Sequence, residues 1–485
     1  MVLHSHMPYV EGYGTWPFGE EWLWEAIATA YLPLLRVLPG APVTIGLTPV
    51  LCDQLEALTG PPGDRFTGFM TGIREQTHRE DSEGAERTGR PDLAAEIRRA
   101  AGDYVRADQE FRGLGGDLLA AFRALSDNGP AELWAGPATH PVLPLLATTA
   151  GLHMQLATGI ASHDRRFGRH PAGMWLPECA YEPGLERDLA EHGVDVFCVD
   201  QTDSLGLGAL DNLEPVRTAA GPVAVPIDWQ TISLVWDEQA GYPTAGDYRD
   251  SHQRTTFDLL PWANTGQCYD QDLGLAQANA HARDFVQRSI ERLDAYRQER
   301  GRPGLLCCAL DAELLGHWWY EGPHWLETVV AEAGAQGLRL APISDALEGM
   351  EPVERPLAAS TWGHPKDMST WDSPQVADLA FATRRAELRV TRAAQGLAAA
   401  PAESRAARHD TIERAARELM ALQASDWAFQ ITRGTASDYP DTRAAGHLAE
   451  LDAALAALED STDGLPGPEV RNIAPDLELS PLIVP

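Results

Sequence analysis

Lysine is almost absent from this sequence: Lys366 is the single lysine among 38 lysine and arginine residues in a chain of 485. The chain also carries 71 aspartate and glutamate residues, so its formal net charge at pH 7 is -33. A surface this acidic repels phosphate backbones and anionic lipid headgroups, which argues against nucleic acid and membranes as partners. A neutral ligand such as a sugar is compatible with it. Adaptation to a salt-rich cell is an alternative explanation of the acidity that the sequence leaves open.

Long apolar runs and paired cysteines are also missing. No apolar stretch approaches the roughly 18–20 residues that a membrane span needs, and the first residues lack the basic and apolar regions of a signal peptide. A cytoplasmic protein is therefore predicted. None of the six cysteines forms a CxxC pair, which argues against zinc-ribbon and thioredoxin-like sites. We expect them to be reduced, as in the cytosol: Cys52, Cys179, Cys198, Cys268, Cys307 and Cys308.

Short apolar runs alternate with helical stretches through the first two thirds of the chain. The pattern predicts helices at 20–37 and 278–300, and strands at 43–48, 132–135, 173–176, 195–199, 231–236 and 305–310. The last of these runs is continuously apolar, as a strand buried on both faces should be. This alternation predicts an α/β fold with a parallel sheet, either open or closed into a barrel.

The pattern changes twice along the chain. Residues 59–91 are rich in glycine, proline and charge, which favours a loop or insertion, and a helical stretch follows at 92–125. From residue 374 onward, alanine, arginine, glutamate and leucine recur at helical spacing, predicting helices at 375–399, 403–423 and 441–459. Ser373 is the expected N-cap and Pro374 the first helical residue. We therefore predict a helical C-terminal domain.

An HxHxP motif places His4 and His6 near the start of the chain. In a strand, two residues at this spacing point to the same side. A pair of partly exposed histidines at a chain end is one explanation. A metal site is another, because amidohydrolase barrels open with HxH and many add a carboxylated lysine. Since the predicted barrel region contains no lysine, metal-dependent hydrolysis is a remote alternative.

Two carboxylates follow predicted strands, where the active sites of parallel barrels lie. Glu178 follows the strand at 173–176, with Trp175 and Tyr181 beside it as candidate sugar platforms. Asp311 ends the apolar strand at 305–310 and precedes the segment Ala312-Glu-Leu-Leu-Gly-His-Trp-Trp-Tyr320. A capping residue or a structural ion pair at a strand end is the simpler alternative for each. Retaining glycoside chemistry needs two carboxylates about 5–5.5 Å apart, and inverting chemistry needs about 6.5–9.5 Å.

Five motifs in chain order together resemble glycoside hydrolase family 57, and within it the glucan-branching subgroup. The resemblance rests on His4-Ser-His-Met-Pro8, Glu132-Leu-Trp-Ala-Gly-Pro-Ala-Thr-His140, Trp175-Leu-Pro-Glu178, Leu310-Asp-Ala-Glu-Leu-Leu-Gly-His-Trp-Trp319 and Ser425-Asp-Trp-Ala-Phe429. The segment Trp16-Pro-Phe-Gly-Glu-Glu-Trp22 is typical of that subgroup. Residues 363–368, Gly-His-Pro-Lys-Asp-Met, depart from the glycine-rich loop that the resemblance implies.

The resemblance implies an incomplete (β/α)7 barrel at residues 1–345, with insertions near 58–130 and 182–225. It also implies an all-α C-terminal domain at 346–485 that closes the active-site cleft, and neither a metal nor a cofactor. It makes Glu178 the nucleophile and Asp311 the acid/base of a retaining enzyme that cleaves an α-1,4-glucan and transfers the chain to a 6-hydroxyl. The implied substrate contacts are His4, His6, His140, Trp22, Trp175, Tyr242, His317, Trp318, Trp362, Trp371, Asp426 and Trp427.

Several functions share these residues. The substrate could be amylose, glycogen or a malto-oligosaccharide. An α-amylase-type hydrolase and a 4-α-glucanotransferase would use the same two carboxylates and differ only in the acceptor. A glucan-binding protein without turnover would be expected to lack one carboxylate, and both are present. Tyr242 is expected on a loop over the active site, where it would shield the intermediate from water together with Trp22, Trp362 and Trp371.

Overall fold

The computed structural model describes residues 1–15, 18–460 and 472–483. Trp16 and Pro17 of the subgroup segment therefore lie outside the described residues. The strands are β1 (Val2–Ser5), β2 (Thr44–Leu47), β3 (Glu132–Trp134), β4 (Gly173–Met174), β5 (Val196–Val199), β6 (Val216–Arg217), β7 (Val223–Pro226) and β8 (Ala309–Asp311).

The strands form one curved parallel arrangement. One sheet has the order β3-β2-β1-β8 and the other β4-β5-β7-β6, and a parallel bridge between Ala135 and Met174 joins β3 to β4. In the described residues, seven strands thus run parallel in the order β8-β1-β2-β3-β4-β5-β7, with β6 antiparallel at the outer edge. The backbone N–H of Asp228, which follows β7, donates to the Cys307 carbonyl at 2.8 Å. The backbone N–H of Val2, in β1, donates to the Cys308 carbonyl at 2.8 Å. The fold is an incomplete (β/α)7 barrel, which confirms the predicted fold class.

Helices connect and cover the strands. They are α1 (Glu20–Ala26), α2 (Leu32–Val37), α3 (Pro49–Ala57), α4 (Pro61–Gly68), α5 (Glu75–Arg87), α6 (Pro91–Gly113), α7 (Leu118–Asp127), α8 (Thr149–Phe167), α9 (Leu185–Glu191), α10 (Thr202–Leu205), α11 (Trp229–Trp236), α12 (Gln271–Arg300), α13 (Gly322–Gln336), α14 (Ile343–Leu347), α15 (Ala377–Gln395), α16 (Ala402–Leu422), α17 (Ser425–Arg433), α18 (Tyr439–Asp460) and α19 (Ser480–Ile483). Within the described residues, no helix has an apolar stretch long enough to span a bilayer.

Two apolar cores correspond to the two compositional regions of the chain. The first is built on the strands, whose side chains are buried on both faces because helices or the barrel interior cover each face; Val2 and Leu3 of β1 are fully buried. The second lies among α15–α18 and includes Val390, Leu419 and Trp427. The predicted C-terminal helices are confirmed as α15, α16 and α18. Pro374 begins a short 3₁₀ turn before α15, and the Ser373 side chain caps neither element.

Three predicted elements are corrected by the structure. Residues 59–91 are not a loop: α4, a π-helical turn at Phe69–Arg74 and α5 run through them, because buried Phe66, Phe69 and Met70 anchor the segment to the barrel core. Residues 231–236 are helical, as the three-residue spacing of buried Ile232 and Val235 requires. Of the run 305–310, only Ala309 and Leu310 pair with β1, together with Asp311.

The two expected insertions differ in structure. Residues 58–130 form helices between β2 and β3. Residues 182–225 contribute β5 and β6 and most of β7, all of which pair in the second sheet. That second segment is therefore built into the barrel wall, since β5 and β7 continue the parallel order from β4.

Candidate active site

Three imidazoles stack at the carboxyl ends of β1 and β3. His4 lies in β1, His6 follows it, and His140 follows β3 with a left-handed φ of 63°. The ring centroid of His140 is 4.8 Å from that of His4 and 3.9 Å from that of His6. Trp175 stacks on the opposite side of His4 at 4.8 Å. Burial, followed by the charge of His6, lowers the pKa of both His4 and His140, so both are neutral near pH 7.

His6 is held by groups from two distant parts of the chain. Its Nε2 lies 2.9 Å from Oδ2 of Asp426, at the start of α17, and its Nδ1 lies 3.1 Å from Oγ1 of Thr48. Burial lowers the pKa of His6, but the Asp426 carboxylate and its hydrogen bond outweigh burial and raise it overall. Because both ring nitrogens already have protein partners, His6 is a poor metal ligand in this arrangement.

Glu178 extends from the end of β4 in an unusual backbone conformation. Its φ of 60° lies in the left-handed region, which costs a non-glycine residue about 1–3 kcal/mol and is found most often at functional sites. Its Oε1 accepts a 2.8 Å hydrogen bond from Oγ of Ser425, and its Oε2 accepts a 2.9 Å bond from Nε1 of Trp362. Nε2 of His140 lies 3.9 Å from Oε1. Burial raises the pKa of Glu178, and the two hydrogen bonds oppose that rise.

Asp311 lies in a different electrostatic environment at the end of β8. It pairs in register with His4, which places it beside the imidazole stack. Burial, then the neighbouring carboxylates of Glu313 and Glu178, raise the pKa of Asp311 well above its usual range. Glu313 accepts hydrogen bonds from the His6 backbone N–H at 3.1 Å and the Tyr31 hydroxyl at 2.5 Å. Burial raises the pKa of Glu313 to about 7.

A cavity of about 710 Å³ reaches Asp426, the partner of His6, but its lining includes neither Glu178 nor Asp311. Its volume lies in the range of ligand-binding clefts, and four of its lining side chains were predicted substrate contacts: Trp22, His317, Trp318 and Asp426. Trp318 is 52% exposed, which is unusual for so large an apolar side chain. His317 lies 3.3 Å from the Thr29 hydroxyl through its Nδ1. The structure thus brings these four residues together around one cavity.

Three tryptophans predicted to contact substrate are buried instead. Trp175 packs beneath His4, and Trp371 is only 4% exposed and packs against Val142. Trp427 is fully buried in the C-terminal core, where its Nε1 donates to the Ala421 carbonyl at 2.9 Å. The structure corrects all three predictions, because a side chain without an exposed face supports the site from behind and offers nothing for a sugar to stack on.

Tyr242 and Tyr181 each have protein partners in the structure. The Tyr242 hydroxyl donates to Oδ2 of Asp284 at 2.7 Å, and its ring stacks on His281 at 4.4 Å, both on α12. Tyr181 is buried and donates to Glu186 at 2.7 Å. The structure thus shows Tyr242 docked on α12 and does not bring it to the two carboxylates.

Sequence analysis missed the roles of three polar residues at this site. Ser425 and Glu313 stand inside quoted motifs, next to Asp426 and two residues after Asp311, and adjacency to those acids was the available signal. Lys366 was noted only for its rarity, although it lies in the segment that carries Trp362. Nothing in a single sequence shows which atoms these side chains contact.

Comparison with known proteins places this arrangement in context. A family model described as glycosyl hydrolase family 57 matches residues 1–356, and one described as the C-terminal part of 1,4-alpha-glucan branching enzyme matches residues 384–465. A probable 1,4-alpha-glucan branching enzyme of Mycobacterium tuberculosis is 35% identical, covering 94% of this chain and 92% of that protein. A 1,4-alpha-glucan branching enzyme of Thermococcus kodakarensis is 30% identical, covering 93% of this chain and 72% of that protein.

Solved structures show the same architecture. A GH57-type branching enzyme from Pyrococcus horikoshii matches with a TM-score of 0.89 at 30% identity, over 99% of this chain and 96% of that one. The alpha-amylase AmyC of Thermotoga maritima matches with a TM-score of 0.83 at 23% identity, over 96% of this chain and 93% of that one. The second likeness is one of fold alone.

Proposed function

The chain belongs to glycosyl hydrolase family 57, and we propose that it is a retaining α-glucan transglycosylase that cleaves α-1,4 bonds and builds α-1,6 branches. Its substrate is an α-1,4-glucan such as amylose, glycogen or a malto-oligosaccharide. The observation that carries the assignment of roles is the contrast between two carboxylates at the carboxyl ends of β4 and β8. One receives hydrogen-bond donors, and the other faces like charge.

That contrast divides the chemistry between Glu178 and Asp311. Burial raises the pKa of Glu178, but hydrogen bonds from Trp362 and Ser425 oppose the rise and stabilise the ionised form, as a nucleophile requires. Burial and two neighbouring carboxylates keep the proton on Asp311, as a general acid requires. Pairs of titratable groups whose pKa values are pushed apart are the usual basis for assigning acid and nucleophile.

The reaction then follows two displacements. Glu178 attacks the anomeric carbon of the donor glucan while Asp311 protonates the departing glycosidic oxygen. The resulting glucosyl ester is attacked by the 6-hydroxyl of a second glucan chain, and Asp311, now ionised, takes the hydroxyl proton. Two inversions at the anomeric carbon restore the α configuration. His6 is the partly exposed member of the imidazole stack and can contact a hydroxyl of the reacting sugar, whereas His4 and His140 are buried and support the site from within the stack.

Transfer exceeds hydrolysis only if a sugar hydroxyl reaches the ester before water does. Trp22 and Trp318 line the cavity and offer apolar surface for the acceptor chain. Trp362, in the segment that leads to the helical domain, donates a hydrogen bond to the Glu178 carboxylate and so lies against it. Trp371 contributes indirectly, since a Cβ at Gly363 would lie 3.0 Å from its ring, so the segment that bears Trp362 packs tightly on it.

The domain division and location belong to the same proposal. Residues 1–345 form the catalytic barrel and 346–485 the helical domain beside its strand ends, a division supported by the separate apolar core among α15–α18. A cytoplasmic location and the exclusion of nucleic acid and membranes remain predictions from the acidic surface. Hydrolysis and 4-α-glucanotransfer remain alternatives, because the same carboxylates serve both.

The test is to incubate the purified protein with amylose and count α-1,6 linkages by debranching or proton NMR. Glu178→Gln should abolish them, whereas Glu182→Gln, an exposed carboxylate four residues on, should leave the rate unchanged. New reducing ends alone would indicate a hydrolase, and redistributed linear chains a 4-α-glucanotransferase. Full activity in Glu178→Gln would contradict the assignment of the nucleophile.

A further inference from the structure

The single lysine of the chain occupies a position that joins the barrel to the segment carrying Trp362. The Lys366 ammonium donates to the Trp362 carbonyl at 2.8 Å and lies 2.9 Å from Oδ2 of Asp200. It also lies 3.5 Å from the centroid of the Trp229 ring. The Lys366 side chain is 19% exposed and that of Asp200 is fully buried. Three different kinds of partner thus surround one ammonium group.

The partners of Lys366 are themselves fixed to the barrel. Asp200 directly follows β5, and its Oδ1 accepts the Thr202 backbone N–H at 2.8 Å. Trp229 begins α11, after β7, and its Nε1 donates to the same Asp200 Oδ2 that faces the lysine. Lys366 is therefore anchored on two neighbouring barrel connections, those that follow β5 and β7.

Trp362 links Lys366 to Glu178 through hydrogen bonds. The Trp362 backbone N–H donates to the Glu178 carbonyl at 2.8 Å, and its Nε1 donates to the Glu178 carboxylate at 2.9 Å. The segment closes on itself, because the Thr361 backbone N–H donates to the Lys366 carbonyl and the Thr361 hydroxyl to the Asp367 carbonyl. A continuous set of contacts thus runs from Asp200 through Lys366 and Trp362 to Glu178.

From this arrangement we infer that Lys366 is a positioning residue: it fixes the indole of Trp362 against the carboxylate of Glu178. The inference depends on the proposed role of Glu178 as nucleophile. A lysine suits this position because a compact ammonium can serve a carbonyl, a carboxylate and an aromatic face at once, whereas a guanidinium is planar and extended. In a chain that otherwise uses arginine, the one lysine contacts the segment that touches this carboxylate.

The pH dependence of glucan cleavage gives a direct readout. The hydrogen bond from Trp362 lowers the pKa of Glu178 against the effect of burial. Loss of Lys366 releases that bond, so the pKa of Glu178 rises and the acidic limb of kcat/KM moves to higher pH. His6, His140, Asp311 and Asp426 also face Glu178, and they are unchanged in such a variant.

The matched variants are Lys366→Met and Arg433→Met. The Arg433 side chain holds the same segment at another point, donating to the His364 carbonyl at 2.9 Å, without a described contact to Trp362 or Glu178. We expect Lys366→Met to lower kcat about tenfold, with a small change in KM, and to shift the acidic limb upward. Arg433→Met should leave the limb in place; an equal shift in both variants would overturn the inference.

A double-mutant cycle separates positioning from a direct charge effect. If Lys366 acts through Trp362, the double variant Lys366→Met/Trp362→Phe should shift the acidic limb no further than Trp362→Phe alone. Additive shifts would show that the lysine charge acts on Glu178 independently, and would refute the positioning role. The rate of glucan cleavage, measured through any product, is enough for this cycle. The cycle therefore tests the positioning role whether or not the protein forms α-1,6 branches.

The wild-type protein offers a measurement that needs no activity. Labelling with ¹³C,¹⁵N-lysine yields signals from one side chain, since the chain has one lysine. Stacking on Trp229 should move the ε-CH2 signal upfield, and its hydrogen bonds should slow exchange of the ammonium protons enough for detection. A signal at the position of a free, rapidly exchanging lysine would overturn the inference even if the protein branches amylose. An anchored signal in a protein without branching activity would count against the proposed function alone.

Discussion

Removing the hydroxyl of Ser425 should move the acidic limb of the activity profile to higher pH. The Ser425 hydroxyl lies on α17 and donates a 2.8 Å hydrogen bond to Oε1 of Glu178. Burial raises the pKa of Glu178, and this bond is one of two that oppose the rise. In Ser425→Ala one of these two opposing bonds is lost, so the carboxylate holds its proton to higher pH and the fraction of active enzyme falls.

The size of the shift follows from the chemistry of the bond. A hydrogen bond to a charged group contributes about 1.5–3 kcal/mol, and one pKa unit corresponds to about 1.36 kcal/mol. The Glu178 side chain is only 15% exposed, so solvent screens the bond little. We therefore expect the acidic limb of Ser425→Ala to rise by about one pH unit. Activity is lost as pH falls through the pKa of Glu178, so the deficit should be largest on the acidic side.

The assay is kcat/KM for cleavage of a malto-oligosaccharide across the pH range, with the acidic limb fitted to a single ionisation. Ser373→Ala is the matched control, because the Ser373 hydroxyl is buried and has no hydrogen-bond partner in the described part of the chain. The reasoning would be refuted if the limb of a folded Ser425→Ala variant stayed in place. It would equally be refuted if Ser373→Ala shifted the limb as far.

Three further variants test other parts of the site. Glu313→Gln removes a charge that raises the pKa of Asp311, so the alkaline limb of the same profile should fall by about one pH unit; an unmoved limb would contradict that coupling. Trp318→Ala should raise KM about fivefold, a loss of about 1 kcal/mol, whereas Phe381→Ala, 67% exposed on α15, should not change it. Tyr242→Ala breaks the contact with α12 and should raise the ratio of new reducing ends to α-1,6 linkages; a constant ratio would exclude the expected role of this loop.

The fold and the candidate carboxylates were predictable because parallel strands leave a clear pattern. A short apolar run followed by a histidine or an acid marks a buried strand whose carboxyl end faces a functional cleft. His4, Glu178 and Asp311 all obey that pattern: His4 and Asp311 lie in the adjacent strands β1 and β8, and Glu178 follows β4. The strands themselves are shorter than the apolar runs: of the run 305–310, only the last two residues pair with β1.

The pattern fails where burial decides between two uses of the same residue type. Tryptophan stacks on sugars and fills cores, and Trp427 fills a core because its indole N–H is satisfied by the carbonyl of Ala421. The glycine- and charge-rich segment 59–91 is helical because Phe66 and Phe69 give it a buried face, which a sequence scan for turn residues overlooks.

The polar partners of Glu178 could not be predicted, because their distance along the chain hides them. Trp362 is 184 residues and Ser425 is 247 residues from the carboxylate that they contact, and Asp426 is 420 residues from His6. Each of these partners lies beyond residue 345, in the segment that leads to the helical domain or within it. The barrel thus supplies the carboxylates and imidazoles, while the later part of the chain supplies the donors and the counter-charge that set their ionisation. It follows that the helical domain is more than a cover for the cleft: a displacement of α17 would withdraw Ser425 from Glu178 and Asp426 from His6 together. One loss acts on Glu178, after β4, and the other on His6, after β1, so the position of this helix and the protonation of both groups are coupled.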